Sequence, residues 1–199
     1  MNKDRLAAFM DAVIAIVMTI LVLQLREPAE PTIEGFLDIR VSFASYAISF
    51  FWLASMWMSL HNAWHTVDKI STKTIWLSII LLFFSSLMPY STSLVASYFY
   101  SSVIQGFYAL IVVATTVMMV LIYQRLSKDN SNKPETVKYM KRVSRLILID
   151  IGIMTVGTLL GVLFWSPIAS IGIIVAALFI IVVRSGDPEM SNDDKISQD

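Results

Sequence analysis

Long apolar runs separated by short polar segments dominate the chain and predict its architecture. A helix that crosses a bilayer needs roughly 20 mainly apolar residues, and six stretches meet that length or come close to it. They run over about 6–25, 41–64, 75–98, 103–123, 146–164 and 168–183. We therefore predict an all-α membrane protein with six transmembrane helices within residues 1–184. The polar segment 185–199 follows as a tail that we expect to be disordered.

The connections between these spans add detail to the prediction. Only Trp165-Ser166-Pro167 separates the fifth span from the sixth, which predicts a tight helical hairpin with Pro167 at the start of the second helix. The third and fourth spans are joined nearly as closely, at residues 99–102. In the alternative count, one of these two hairpins is a re-entrant element and not a pair of spans. Gly157 and Gly161 form a GxxxG pattern in the fifth span, which favours close packing against another helix.

Composition supports a lipid environment and excludes one kind of chemistry. The chain is 56% hydrophobic and 15% charged, whereas a soluble domain carries about 25% charged residues. It contains no cysteine. Disulfides, thiolate metal sites and cysteine nucleophiles are therefore excluded.

Basic residues are distributed unequally between the two sides of the predicted membrane. Only Arg26 and Arg40 fall on one side, and thirteen of the fifteen fall on the other: Lys3, Arg5, Lys69, Lys73, Arg125, Lys128, Lys133, Lys138, Lys141, Arg142, Arg145, Arg184 and Lys195. Loops rich in Lys and Arg remain in the cytoplasm. We therefore expect a multi-pass protein of the cell membrane with both termini in the cytoplasm.

Few ionisable residues lie within the spans, and each is a candidate for function. Asp11 is the one carboxylate of the first span, where it could form a hydrogen bond or pair with Arg5. Asp150 begins the fifth span, where we expect the interface to solvate it. His61 and His65 are one turn apart, a spacing that can bind zinc, but no third ligand accompanies them. We expect an interfacial hydrogen-bonding role for both, and we expect neither a metal site nor an enzyme.

The first span also carries a stripe of side chains at helical spacing. Phe9, Ile16, Ile20 and Leu23 recur at intervals of seven, four and three residues. Thr19 lies about 60° from Ile16 at 100° per residue. On periodicity alone, a surface that faces lipid or packs on another helix is the favoured interpretation of this stripe.

The chain begins with a motif that contains an arginine, a phenylalanine and an aspartate, and three further motifs follow it along the sequence. Arg5-Leu6-Ala7-Ala8-Phe9-Met10-Asp11 resembles the RxxxFSD signature that opens the first helix of the transmembrane protein 175 family. Met10 replaces the serine of that signature. The other matching elements are Leu21-Val22-Leu23-Gln24-Leu25 before Pro28, Trp57-Met58-Ser59-Leu60-His61, and Pro89-Tyr90-Ser91-Thr92.

The resemblance implies a homotetrameric, modestly potassium-selective cation channel around a central pore. The first helix would line the pore without a TVGYG filter, Ile16, Ile20 and Leu23 would form hydrophobic constriction rings, and Thr19 would add a polar ring. The residues implied to support the pore helix are Arg5, Phe9, Asp11, Trp57 and His61. We expect no cofactor besides permeant potassium. The expected partners are further copies of the chain, monovalent cations and the bilayer, and not nucleic acid.

Two other functions remain as alternatives at this point. A proton- or cation-coupled secondary transporter could use Asp11 and the histidines. Such transporters usually contain an inverted repeat and a pair of broken helices, and neither is evident in the sequence. A membrane scaffold without transport activity is the other alternative. Cation flux that is uncoupled from protons or substrate distinguishes a channel from both.

Overall fold

The computed structural model describes residues 2–164, 166 and 168–176, and within them it is helical with no strand. The helices are α1 (Lys3–Val22), α2 (Ile33–Asp38), α3 (Arg40–Thr66), α4 (Thr72–Ser86), α5 (Met88–Ser97), α6 (Ser102–Asp129) and α7 (Pro134–Leu163). A further helical segment occupies residues 168–176.

The described residues contain five helices that are long and apolar enough to cross a membrane, with α4 and α5 counted as one span over Thr72–Ser97. These five correspond to the first five predicted spans. The sixth, predicted over 168–183, is helical over 168–176. Its remainder, Trp165, Pro167 and the predicted tail lie outside the described residues.

The third predicted span is divided in the structure. α4 ends at Ser86 and α5 begins at Met88, with Leu87 between them. Pro89 follows as the second residue of α5 and has no backbone N–H to donate to the preceding turn. The backbone N–H of Leu87 bonds to the carbonyl of Phe84 at 3.1 Å, which tightens the last turn of α4.

The basic segment 124–145, which interrupts the apolar pattern, is not a long loop. α6 continues to Asp129 and α7 begins at Pro134, so only residues 130–133 lie between the two helices. Hydropathy marks where a helix leaves the hydrocarbon, whereas the helix itself can continue into the polar region. The short helix α2 was also not predicted; the Thr32 side chain caps it by accepting a hydrogen bond from the Gly35 N–H at 3.1 Å.

The helices pack in an order that separates α1 from α7. α1 packs against α3, α4 and α5, and α4 and α5 also pack against α6. α6 in turn provides the most extensive packing surface for α7. α1 and α7 therefore occupy opposite ends of the packing order.

Hydrogen bonds between helices pair the polar side chains of the interior. Ser49 on α3 bonds to Thr92 on α5 at 2.7 Å and to the hydroxyl of Tyr108 on α6 at 2.9 Å. Nearer the other end of α3, the Tyr123 hydroxyl donates to the Ser59 carbonyl at 2.6 Å. Hydrocarbon offers no alternative partners, so such pairs help to fix helices against one another.

The turn between α6 and α7 holds the loop between α3 and α4. The Asn130 side-chain oxygen accepts from the backbone N–H groups of Asp68 and Lys69 at 2.9 and 3.0 Å, and its amide donates to the Lys69 carbonyl at 2.9 Å. Lys133 forms a 2.6 Å ion pair with Asp68. The hydrogen bond from Lys133 lowers the pKa of Asp68 below its usual value of 3.8. The stability that this pair contributes is thus present above that pH and is lost as the pH falls through the lowered pKa.

The N-terminus lies at the same end of the bundle. The Lys3 ammonium donates to the Val67 carbonyl at 3.0 Å, and the Thr136 hydroxyl donates to the Thr66 carbonyl, also at 3.0 Å. These contacts join the start of α1, the α3–α4 loop and the start of α7. Those are the segments that the distribution of basic residues assigns to one side of the membrane.

Close packing at the glycines of α7 is confirmed. A Cβ atom on Gly157 would lie 2.8 Å from the Cα of Gly172, and one on Gly161 would lie 2.7 Å from the backbone nitrogen of Ala169. Real Cβ atoms do not approach backbone atoms so closely. The absence of side chains at these positions therefore allows segment 168–176 to pack directly on the α7 backbone.

We predict that Gly157→Val destabilises the protein by about 1–3 kcal/mol, because it forces this crossing apart. Gly152→Val is the matched control, since a Cβ at Gly152 meets no atom within 4 Å. The measurement is the thermal unfolding midpoint of both variants in the same detergent. Equal midpoints would show that the close approach contributes nothing to stability.

Candidate functional site on the first helix

α1 has a buried face and an exposed face. The buried side chains recur at intervals of three or four residues, so they lie on one side of the helix; they are Leu6, Met10, Ile14, Val17 and Leu21. The opposite side is uncovered in the protomer. Packing of one face therefore fixes which side chains of α1 remain available to a second copy, to lipid or to water.

All four of the predicted pore residues lie on the exposed side. Ile16 is 57% exposed and Leu23 is 76% exposed, and Thr19 and Ile20 are also exposed. The Thr19 hydroxyl donates to the Ile16 carbonyl at 2.8 Å. This bond uses its proton and leaves the oxygen able to accept or to contact a cation. That this face lines a pore stays a prediction.

Asp11 is held by a tryptophan of α3. The Trp57 indole N–H donates to Asp11 Oδ1 at 2.8 Å. The Trp57 and His61 rings follow one another at 5.3 Å, and the His61 and His65 rings at 4.6 Å with their Nε2 atoms 3.1 Å apart. The structure thus brings together three of the predicted support residues, Asp11, Trp57 and His61. It adds His65, whose spacing of one turn from His61 was the sequence signal.

Arg5 and Phe9, the other two support residues, lie apart from this chain of contacts. Both are exposed. The backbone N–H of Arg5 donates to the Asn2 side chain, which caps the start of α1 at 3.0 Å. Among the described residues there is no ion pair between Arg5 and Asp11. The alternative in which those two residues pair is therefore wrong for the protomer.

Met10 occupies the place of the signature serine and is a core residue. It is 1% exposed and belongs to the buried face of α1. A flexible thioether can fill an irregular apolar space there but makes no hydroxyl hydrogen bond. Burial by tertiary contacts, which the sequence did not reveal, explains how methionine is accommodated beside Asp11.

Asp150 is not solvated at an interface, contrary to the sequence-based expectation. It is 2% exposed, and its Oδ1 atom has no hydrogen-bond partner among the described residues. α7 begins at Pro134, so Asp150 lies about 24 Å along the helix at 1.5 Å per residue. Tertiary packing around this part of α7, which the sequence pattern does not reveal, accounts for the difference.

Within the described residues, no three His, Cys, Asp or Glu side chains come together as a metal-binding group. His61 and His65 remain a pair. Their contacts are to one another and to Trp57.

Comparison with known proteins shows which proteins this chain is similar to. The family model described as endosomal/lysosomal potassium channel TMEM175 matches residues 5–89, which contain every predicted site residue. A potassium channel of Chryseobacterium sp. (strain P1-3) is 28% identical over 188 residues, covering 91% of this chain and 94% of the relative. These matches relate residues 5–89 to the TMEM175 family and most of the chain to a bacterial potassium channel.

Two further proteins are similar to this chain. A potassium channel of Streptomyces collinus is 29% identical over 135 residues, covering 63% of this chain and 64% of the relative. The crystal structure of a lysosomal potassium-selective channel TMEM175 homolog from Chamaesiphon minutus matches with a TM-score of 0.69 and 22% identity. It covers 93% of this chain and 98% of that one. The all-helical fold of a TMEM175 channel is thereby confirmed, and the names of these relatives describe channels rather than enzymes.

We predict that Trp57→Phe destabilises the protein by about 1–3 kcal/mol, because the substitution keeps an aromatic ring but leaves Asp11 without its hydrogen-bond donor. Trp76→Phe is the matched control, since Trp76 is exposed on α4. Unfolding midpoints in the same detergent measure both effects. If Trp76→Phe has an equal effect, the Asp11 hydrogen bond is not what stabilises the contact between α1 and α3.

Proposed function

We propose that this protein is a modestly potassium-selective cation channel of the TMEM175 family and that α1 from each of four copies lines its pore. The match of residues 5–89 to the TMEM175 family model and the similarity to bacterial potassium channels support the activity. The observation that carries the assignment of the pore is the exposed face of α1. It presents Ile16, Thr19, Ile20 and Leu23 on the side opposite the face that holds the helix in the bundle.

The spacing of these residues suits a constriction of short length. Ile16 and Leu23 are seven residues apart, about 10 Å along the helix axis. In a ring of four helices, Ile16, Ile20 and Leu23 form successive apolar rings and Thr19 adds hydroxyl oxygens between them. An apolar ring narrow enough to exclude water makes each ion lose hydration, and it can close the pore by dewetting. Potassium has the smaller dehydration penalty, so it passes more easily than sodium.

Asp11 acts in this proposal through the orientation of α1. It lies about 140° from Ile16 around the helix at 100° per residue, so it points away from the proposed pore. Its bond to Trp57 ties α1 to α3. The same bond disfavours the alternative of a coupled transporter, since that function would require Asp11 to exchange partners with a proton or substrate.

The two ends of the bundle differ in charge, and this difference supports the proposed orientation in the membrane. One end of the bundle joins the N-terminus, the α3–α4 loop and the α6–α7 turn, and it carries most of the basic residues. We propose that this end faces the cytoplasm and that the membrane is the cell membrane. The opposite end carries an acidic connection, in which exposed carboxylates can concentrate cations near the pore mouth; they are Glu27, Glu30, Glu34 and Asp38.

We predict that wild-type protein in liposomes releases potassium down its gradient without coupled proton movement. Ile16→Asn should raise this flux severalfold and lower the preference for potassium over sodium, because a polar ring reduces the cost of dehydration. Leu159→Asn on α7 is the matched control: Leu159 is 57% exposed, as is Ile16. We expect its flux and selectivity to equal those of wild type.

Two results would contradict the proposal at different levels. Absence of uncoupled potassium flux from folded wild-type protein would remove the channel function. Equal behaviour of Ile16→Asn and Leu159→Asn in an active channel would leave the function intact but remove α1 from the pore.

A further inference from the structure

α7 carries one exposed stripe that changes from basic to apolar along its length. At 100° per residue the members of this stripe lie within about 40° of Lys138 around the helix; they are Lys138, Arg142, Arg145, Ile149, Gly152, Val156 and Leu160, and all of them are exposed. Lys141 is exposed beside the basic part. The exposed side of α7 is therefore basic nearer its N-terminus and apolar further along the helix.

A groove follows the apolar part of this stripe. It has a volume of about 520 Å³ and lies between α7 and segment 168–176. Ile149, Val156 and Leu160 line it from α7, and Ile171 and Val175 from the segment. Gly152 also lines the groove, and a Cβ atom at this position would meet no atom within 4 Å. The groove is therefore open and lined by apolar side chains.

The lengths of the two parts match the layers of a membrane. Lys138 and Arg145 are seven residues apart, about 10 Å along the helix, and Ile149 and Leu160 are eleven residues apart, about 16 Å. Half of the roughly 30 Å hydrocarbon core is one leaflet. The basic part thus falls at the depth of lipid headgroups when the groove spans the adjoining leaflet.

We propose that α7 and segment 168–176 form a binding site for one anionic phospholipid. Lys141 and Arg145 contact the headgroup phosphate, and an acyl chain lies in the groove. The exposed carboxylate of Glu135 lies about 15 Å from Arg145 along the helix. Basic residues next to a transmembrane helix attract anionic lipids, and Arg binds phosphate through paired hydrogen bonds.

This site rests on the position of the helix in the bilayer and not on the channel function. The packing order agrees with it, because α7 lies at the opposite end of that order from α1. Lipid binding is also measured without ion flux. Loss of the lipid site would therefore leave the proposed pore untouched, and loss of the pore would leave the lipid site.

Native mass spectrometry of the full-length protein in detergent tests the headgroup part. The probes are phosphatidylglycerol and phosphatidylcholine with identical acyl chains. Wild type should bind phosphatidylglycerol at least about tenfold more tightly, and Lys141→Gln with Arg145→Gln should weaken that binding roughly ten- to thirtyfold. Lys69→Gln with Lys73→Gln is the matched control, since it removes the same charge from exposed positions of the α3–α4 region. The control should keep the preference.

Gly152→Leu tests the acyl-chain part, because Gly152 lines the groove and a Cβ there meets no atom within 4 Å, so the new side chain can extend into the groove. It should weaken binding of both lipids several-fold. Gly106→Leu on α6 is its control, since a Cβ there also meets no atom within 4 Å. Leucine is a better helix former than glycine, so neither change should impair folding.

Three outcomes would overturn the site. The first is equal binding of the two lipids by wild type, and the second is an equal loss in the Lys69→Gln, Lys73→Gln control. The third is binding of neither lipid, which would favour the acidic segment 185–199 as the occupant of the basic stripe. An effect of Gly152→Leu no larger than that of Gly106→Leu would remove the acyl chain from the groove.

Discussion

Packing of one face of α1 against the bundle is the constraint on which the rest of the structure depends. Hydrocarbon supplies no hydrogen-bond partners, so each helix satisfies its own backbone and is oriented by side chains. For α1 the orienting contacts are a buried apolar face and the bond between Asp11 and Trp57. Together they leave Ile16 and Leu23 uncovered on the other side.

α1 and α7 both present exposed stripes, but the stripes differ in chemistry. The stripe of α1 is apolar with Thr19 among its members, which suits successive rings around a common axis. The stripe of α7 begins with basic side chains and continues along a groove at Gly152, which suits a lipid at the outer surface. The packing order agrees with this division because it separates the two helices.

The lengths of the apolar runs predicted the spans because the thickness of the bilayer sets the length of a spanning helix. The motif in the first span indicated that α1 carries the candidate functional residues. Features that depend on tertiary contacts were not predictable in the same way. The break at Leu87 is a different case, because Pro89 is a local signal for it that apolar run length does not register. Burial of Met10 and Asp150 depends on which helices pack around them. The linear pattern carries no such information about neighbours.

Cysteine accessibility tests the assignment of the pore most directly, because the chain contains no native cysteine. Single variants Thr19→Cys and Leu23→Cys would be treated with a charged, water-soluble thiol reagent while potassium efflux from liposomes is followed. Leu159→Cys on α7 serves as the exposed control. We expect the reagent to block efflux through the two α1 variants and to leave the control unchanged. Unchanged efflux in both α1 variants, with the control channel active, would place this face of α1 outside the pore.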